Sequence, residues 1–462
     1  MVGLGVMGSN FLLNMADNGY SVAGYDTDTK KADNLRNAAE ARSIHATDDI
    51  KDFIAALRTP RAIMMLVPAG APVDSVVKDL LPHLEKGDLI IDAGNSYFKD
   101  TERRQKELEP KGIGFLGVGV SGGEEGARHG PSMMPGGAKK DYERVQKIYE
   151  AASAHIEKDP CVTYLGPGSA GHFVKMVHNG IEYGIIQLIA ETYDLMKRSL
   201  GLSNAELHKI YTKWNKEKLN GYLMEITSVI FAQKDDKTKN DLIDEILPVA
   251  AQNGTGLWTS LSALELNVPT PTINVAVTMR DMSCKAELRE KASKVYKRAI
   301  EKCDGNKDEC VKHIGDALYA AIIICYAQGM ALLSVASKEY KYNFNMESVA
   351  RIWRGGCIIR STLLEDIMSA YRADNNLENF LLNPAISKKV IDAEEGLRKT
   401  IAKAVELGCP VPALSSTLGY LDALRSEWAP ANLIQAQRDF FGSHTYHRID
   451  DPKGVYHTLW GK

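Results

Sequence analysis

The sequence predicts an α/β domain built on a parallel sheet, followed by a large all-α domain and an irregular C-terminal tail. Two observations carry this. In the first third, apolar runs rich in Val, Ile and Leu near 20–26, 61–67, 88–92 and 113–119 alternate with helical patterns near 8–18, 29–38, 72–83 and 100–110. Strand–helix alternation of this kind places helices on both faces of a parallel sheet. The character then changes at Gly166-Pro167-Gly168, and helical periodicity runs from about Ala170 to Arg425 with few strand-like runs. From Pro430 the periodicity fades, and a segment of that kind is ordered only when packed on something else. The expected division is residues 1–167, 168–429 and 430–462.

The 462 residues carry 56 Lys and Arg against 59 Asp and Glu, a formal net charge of −3. That balance argues against a nucleic-acid or membrane-surface role. The apolar runs read as far shorter than a membrane span, and no basic stretch followed by an apolar one opens the chain, so neither a membrane anchor nor a signal peptide is expected. The seven cysteines, Cys161, Cys284, Cys303, Cys310, Cys325, Cys357 and Cys409, include no CxxC pair. An odd number excludes a complete disulfide framework, and reduced thiols in a cytoplasmic protein are the simplest reading.

Gly3-Leu4-Gly5-Val6-Met7-Gly8 fits the dinucleotide fingerprint GxGxxG. Its glycines permit a tight turn and close approach to a pyrophosphate, which the next helix meets with free N–H groups and its positive dipole end. Alone the motif is weak, since a glycine-rich turn explains it equally. Here a helix follows, then a strand ending at Tyr25-Asp26, where an acid reaches a ribose hydroxyl. The first domain is therefore expected to be of Rossmann type. Only Met1 and Val2 precede the first glycine, too few for the strand that should feed the loop, so a clipped first strand or a chain that begins further upstream is expected.

The segment AGHFVKMVHNGIEYG, Ala170 to Gly184, opens a long helix that is apolar over most of its circumference, which marks it as buried. Lys175, His178, Asn179 and Glu182 nevertheless fall at i, i+3, i+4 and i+7 on one face. Buried charge is costly unless paired or used. The residues allow an internal Lys–Glu salt bridge, or an acid–base pair in which a desolvated lysine loses its proton and a glutamate in the same pocket keeps one. Two loops at expected strand ends, DAGNS with Asn95 and GVSGGEEG with Ser121, Gly122 and Gly123, lie where ligands bind in open parallel sheets.

These segments, together with IWRGGCIIRS (352–361) and LIQAQRDFFGSHTY (433–446), resemble the 6-phosphogluconate dehydrogenase family, in that family's order and over nearly the whole chain. The resemblance implies oxidation of 6-phosphogluconate at C3, loss of C1 as carbon dioxide, ribulose 5-phosphate as product, no metal, and a homodimer whose tail reaches the neighbouring subunit. It implies Lys175 as base and Glu182 as acid. Ser121, Gly122 and Gly123 would hold the carboxylate end, and Asn95, His178 and Asn179 would bind hydroxyls or orient the nicotinamide. Tyr183, Asn253, Arg280, Arg438 and His444 would hold the phosphate end, the last two supplied by the neighbour. Cofactor contacts would come from Gly3 to Gly8, Asp26, Thr27, Asp28, Val67, Pro68, Ala69 and Asn95.

The chain departs from the family pattern in several places. Asp26-Thr27-Asp28 replaces an Asn-Arg-Thr whose arginine meets the NADP 2′-phosphate, Pro68 replaces a lysine, Asn253 and Leu257 each replace a lysine, and Ile185 replaces an aspartate. An acid at Asp26 should repel a 2′-phosphate, so NAD is expected to be favoured over NADP, with Lys30 and Lys31 as partial compensation. Asn253 also leaves room for a differently phosphorylated or unphosphorylated sugar acid. A cofactor-binding protein without turnover is a further alternative, against which the intact Lys175 and Glu182 argue, and a non-decarboxylating β-hydroxy acid dehydrogenase is another, against which the long helical domain and the tail motif argue.

Overall fold

The structure is a computed structural model that describes residues 1–461. By contacts the chain forms two compact units, residues 1–416 and 417–462. In the first, strands β1 (Val22–Tyr25) and β2 (Ile44–Thr47) pair in parallel, and β3 (Ala62–Met65), β4 (Leu89–Asp92), β5 (Gly114–Ser121) and β6 (Ser132–Gly137) form a second run. Pairings among β3, β4 and β5 are parallel, while β6 lies antiparallel to β5. Val2 joins the two runs. It bridges Tyr25 on one side and Met65 on the other, with the Val2 N–H donating to the Met64 carbonyl at 2.7 Å and the Gly3 N–H to Tyr25 at 2.9 Å. Val2 is the bridging residue of the first strand position, and Gly3 turns directly from it into the fingerprint loop.

β4 reads Leu-Ile-Ile-Asp and is buried throughout, the pattern of a parallel strand covered on both faces. The covering helices are α1 (Val6–Asp17), α2 (Thr29–Ala39), α3 (Ile50–Ala55), α4 (Ala71–Leu80), α5 (Phe98–Leu108), α6 (Gly123–His129) and α7 (Lys139–Ala152). Asp28 and Asp49 start α2 and α3 by accepting backbone N–H groups of the first turn.

Helix α8 (Ala170–Asp194) leads the helical part, continued by α9 (Asn204–Asn215), α10 (Tyr222–Ala232), α11 (Leu242–Glu245), α12 (Thr255–Glu265), α13 (Pro271–Ser283), α14 (Ala286–Val295), α15 (Lys307–Glu339), α16 (Met346–Ile352), α17 (Leu363–Ala373), α18 (Pro384–Leu407) and α19 (Pro412–Leu424). α15 is long and apolar enough to cross a membrane, which corrects the expectation that every apolar run falls far short of a span. Its most apolar stretch is 83% buried within the protein, and the helix packs on α8 and α18 as a core element.

α8 lies against β5 and β6 at unusually short range. A Cβ on Gly136 would fall 2.2 Å from the Gly171 nitrogen, one on Gly171 2.2 Å from the Met134 carbonyl oxygen, and one on Gly119 2.2 Å from the Lys175 Cβ. On its other side, Gly180 gives Thr259 of α12 the same closeness and Gly184 admits Cys325 of α15. A glycine inside a helix costs about 1 kcal/mol relative to alanine. Here that loss is offset by burying most of the helix.

The tail from Pro430 was expected to be irregular. It contains a regular helix, α20 (Ala431–Gly442), and beyond it, among the described residues, a single antiparallel bridge between Tyr446 and Tyr456. One buried carboxylate organises it. Asp439 accepts the backbone N–H groups of Thr445 and Thr458 and the Trp460 indole N–H at 2.9–3.0 Å, and meets His457 Nδ1 at 2.9 Å. Polar capture of this kind leaves no periodicity in the sequence.

Because Gly136 faces backbone that cannot rotate away, Gly136→Ala should destabilise the protein by about 1–3 kcal/mol. Urea denaturation measures this, and unchanged stability would show that the contact between α8 and the sheet has slack.

Candidate active site

Lys175 projects from α8 beside β5 and is buried, with 6% of its surface exposed. Burial lowers its pKa from the usual lysine value, opposed by the nearby Glu182 carboxylate and Cys357. Burial raises the pKa of Glu182, opposed by Lys175 and Arg280. Its side chain keeps 21% exposure, so it sits at the mouth of the site. Both members of the pair are therefore pushed toward their neutral forms, the condition for a lysine that takes a proton and a glutamic acid that gives one.

His178 is fully buried, and its pKa falls well below the usual value, through burial first and then through Lys175. The neutral ring lies 3.3 Å from the Ser121 hydroxyl through Nε2 and 3.1 Å from Asn179 Oδ1 through Nδ1. With the ring proton on Nδ1 donated to Asn179, Nε2 accepts from Ser121. β5 and α8 are thereby tied together at the strand's carboxyl end. Gly122, at φ 114°, turns the chain there, and a Cβ would strike the Gly356 carbonyl oxygen at 2.6 Å. Gly123 follows at φ 61° with open space beside it.

A second cluster lies further along α8. The Arg280 guanidinium of α13 stacks over the Tyr183 ring, 3.5 Å from its centre, and the Asn253 backbone N–H meets the Tyr183 hydroxyl at 3.4 Å. The structure therefore gathers Lys175, His178, Asn179, Glu182, Tyr183, Asn253, Arg280 and Ser121-Gly122-Gly123 within the first unit. Asn95 is exposed on a loop held by Asp92, which accepts from the Gly94 N–H at 3.1 Å and the Ser96 hydroxyl at 2.6 Å. Arg438 and His444 belong to the second unit, where both are exposed. Two neighbours were quoted from the sequence without a role. Trp353 sets its ring edge-on to His178 at 5.6 Å, and Cys357 donates to the Trp353 carbonyl at 3.1 Å. The one available signal was their place in the segment 352–361.

The fingerprint loop fits a dinucleotide. Gly3 takes φ 90°, and a Cβ on Gly8 would sit 1.9 Å from the Gly3 carbonyl oxygen, so both glycines are required by the turn. Gly5 opens α1 with no side chain capping its first N–H groups, which remain available to an anion. Val67, Pro68 and Ala69 form the adjoining loop after β3, and Pro68 is exposed. Thr27 and Asp28 are exposed beyond β1.

Two family models cover the chain. The NAD binding domain of 6-phosphogluconate dehydrogenase matches residues 1–166, and the 6-phosphogluconate dehydrogenase C-terminal domain matches 171–460. The chain belongs to the 6-phosphogluconate dehydrogenase family. A Bacillus subtilis relative named NADP(+)-dependent, decarboxylating 6-phosphogluconate dehydrogenase is 48% identical, covering 100% of this chain and 98% of its own length. A Spinacia oleracea decarboxylating 6-phosphogluconate dehydrogenase is 45% identical over 100% and 97%. The Plasmodium falciparum 6-phosphogluconate dehydrogenase, solved in its apo form, with its cofactor NADP+ and with its substrate 6-phosphogluconate, superposes with a TM-score of 0.95 at 43% identity, covering 99% of each chain.

These relatives overturn the expected preference for NAD over NADP, since the Bacillus and Plasmodium members of the family use NADP. The structure supplies a physical reason. Asp26 is engaged within the protein: one carboxylate oxygen accepts the Leu4 N–H at 2.8 Å, the other the Asp28 N–H at 3.0 Å, and Lys31 Nζ lies 3.3 Å away. Its oxygens are turned onto the loop, and the adjacent Lys31 cation offsets its repulsion of a phosphate.

Burial disfavours the Lys175 ammonium and Glu182 offsets this only through space, so Lys175→Met should stabilise the fold by about 1 kcal/mol or more. A depressed lysine pKa means that the unfolded chain binds more protons, so wild-type stability recovers as pH rises toward the usual lysine value of 10.5 and the gap should narrow there. Urea denaturation at two pH values reads this. A variant less stable than wild type would show that Lys175 is fully paired.

Proposed function

We propose that the chain oxidises 6-phospho-D-gluconate and decarboxylates it to ribulose 5-phosphate, reducing NADP. The observation that carries this reading is Lys175 and Glu182 on one buried helix face, each driven by burial toward its neutral form. NADP, when bound, supplies the hydride acceptor. Lys175 Nζ takes the C3 hydroxyl proton as C3 is oxidised. The resulting β-keto acid loses its carboxylate readily because the new carbonyl accepts the electron pair. Glu182 then protonates the carbon left behind. Neutral His178, with Asn95 and Asn179, binds substrate hydroxyls or orients the nicotinamide, and Ser121 with the turn at Gly122 and Gly123 holds the carboxylate. In this reading residues 1–167 bind the dinucleotide, 168–429 hold the substrate and the dimer contact, and 430–462 reach the partner subunit.

Lys175→Met should lower kcat by about 10²–10⁴-fold, the usual worth of a placed general base, with little change in cofactor affinity. Near-normal kcat in the folded variant would end the assignment.

Arg280 and Tyr183 form the phosphate end, with the neutral Asn253 beside them. A charge-assisted hydrogen bond contributes about 1.5–3 kcal/mol. Asn253→Lys should therefore lower KM for 6-phosphogluconate by about tenfold or more. An unchanged KM, together with turnover of gluconate, would favour the unphosphorylated substrate.

We further read the protein as a homodimer whose tail completes the neighbouring site. The second unit exposes Leu433, Ile434, Phe440 and Phe441 around Arg438 and His444, an apolar face that calls for a partner surface. Mixing Lys175→Met with Arg438→Ala subunits should restore about a quarter of wild-type activity, because half of randomly paired dimers are mixed and each holds one intact site. Activity that stays at the level of the separate variants, with subunit exchange verified by mass, would place the tail in cis.

A further inference from the structure

Four of the seven cysteines, Cys161, Cys325, Cys357 and Cys409, are buried, and Cys284 is exposed. The other two stand together. Cys303 lies on the loop after α14 and Cys310 in the first turns of α15, each partly buried, with their sulfurs 3.6 Å apart. Gly305 lies between them in the chain, and both sulfurs stand in van der Waals range of the place a Cβ would take there, at 3.6 Å and 3.9 Å. The loop is itself a seam. Arg298 donates to the Glu406 carbonyl at 3.1 Å, the Glu301 N–H to Leu407 at 2.9 Å, Lys302 Nζ to Arg198 at 2.8 Å and the Cys303 N–H to Ser199 at 2.9 Å. It thus stitches the end of α18 to the turn that closes the catalytic helix. A cavity of about 340 Å³, lined by Cys310, His313, Leu195, Lys399, Lys403 and Glu406, opens beside the pair and gives a small oxidant access.

We propose that Cys303 and Cys310 are a thiol modification site that closes into a reversible intramolecular disulfide on exchange with a low-molecular-weight disulfide such as oxidised glutathione. One cysteine thiolate attacks the small disulfide and displaces a first thiol. The second cysteine sulfur then attacks the mixed disulfide and displaces the other. Two cysteine thiols are oxidised, one small disulfide is reduced to two thiols, and both cysteine protons end on the released thiols. The sulfurs close from van der Waals contact to bonding distance, about 2.05 Å, across a short ring containing Gly305. The bond fastens the seam to the start of α15 and thereby braces the residues that follow α8. Burial, then the neighbouring Cys303, pushes the Cys310 thiol up to about 11, which makes the exchange slow at neutral pH and faster as pH rises.

The experiment treats the full-length protein with oxidised glutathione, blocks free thiols with iodoacetamide and maps peptides without reduction. The expected result is a Cys303–Cys310 bridge 2 Da lighter than the dithiol. It should form faster at pH 9 than at pH 7. With it, proteolysis within 285–306 should slow several-fold, recover on adding dithiothreitol, and remain unaffected by glutathione in Cys303→Ser. Carbamidomethylated Cys303 and Cys310 after prolonged oxidation, or glutathione retained on either one, would overturn the site. A bridge with unchanged proteolysis would overturn its role as a brace.

Discussion

The short contact between α8 and strands β5 and β6 is the constraint on which the site depends. It exists because glycines face each other across it: Gly117, Gly119 and Gly136 on the sheet, Gly171 on the helix. A side chain at any of them would lift the helix and carry Lys175 and His178 with it. The same closeness lets the Ser121 hydroxyl reach the His178 ring and keeps the Lys175 amine out of water. The electrostatics of the site thus follow from a packing decision made by residues without side chains.

That packing also sets a conflict between stability and chemistry. A lysine, a histidine and a glutamate on one face of an enclosed helix cost desolvation energy that their mutual contacts only partly return, His178 lying 3.9 Å from Glu182. The surrounding helices supply the difference. α15 and α12 bury the apolar remainder of α8, and Thr259 of α12 donates to the Met176 carbonyl at 2.8 Å, holding the two helices in register. A rigid, apolar frame is what keeps a destabilised polar stripe in place.

Much of this was legible in the sequence, and the failures have specific causes. The four apolar runs of the first third became strands because continuous Val, Ile and Leu at strand length has few other uses. β2 escaped notice, since Ile-His-Ala-Thr is neither apolar nor alternating. Val2 could not be seen as a strand because its pairing is supplied entirely by Tyr25 and Met65, far along the chain. The polar stripe of α8 was readable because helical spacing is fixed at 3.6 residues per turn. Its companions Trp353 and Cys357 were not, because they arrive from a loop that periodicity does not describe. The helix α20 was missed for a related reason: the order within its unit rests on one carboxylate, Asp439, while the helix's apolar residues stay exposed.

The error over Asp26 is the most instructive, because the residue was correctly located and its effect wrongly inferred. An acid at the end of the second strand reads as a ribose ligand that repels phosphate only if its oxygens face the cofactor. Here the first turn of the fingerprint is itself short of acceptors: the Leu4 N–H, exposed by the tight turn at Gly3, needs one, and Asp26 supplies it. The Asp28 N–H takes the other oxygen, and Lys31, one turn into α2, neutralises the charge. A carboxylate so engaged acts as structural support for the loop. With Lys31 set against Asp26 and Lys30 beside Asp28, the edge after the second strand carries two cations against two carboxylates and is not a net anion. Sequence position told where the acid lies, and only the hydrogen-bond accounting around it tells which way its charge points.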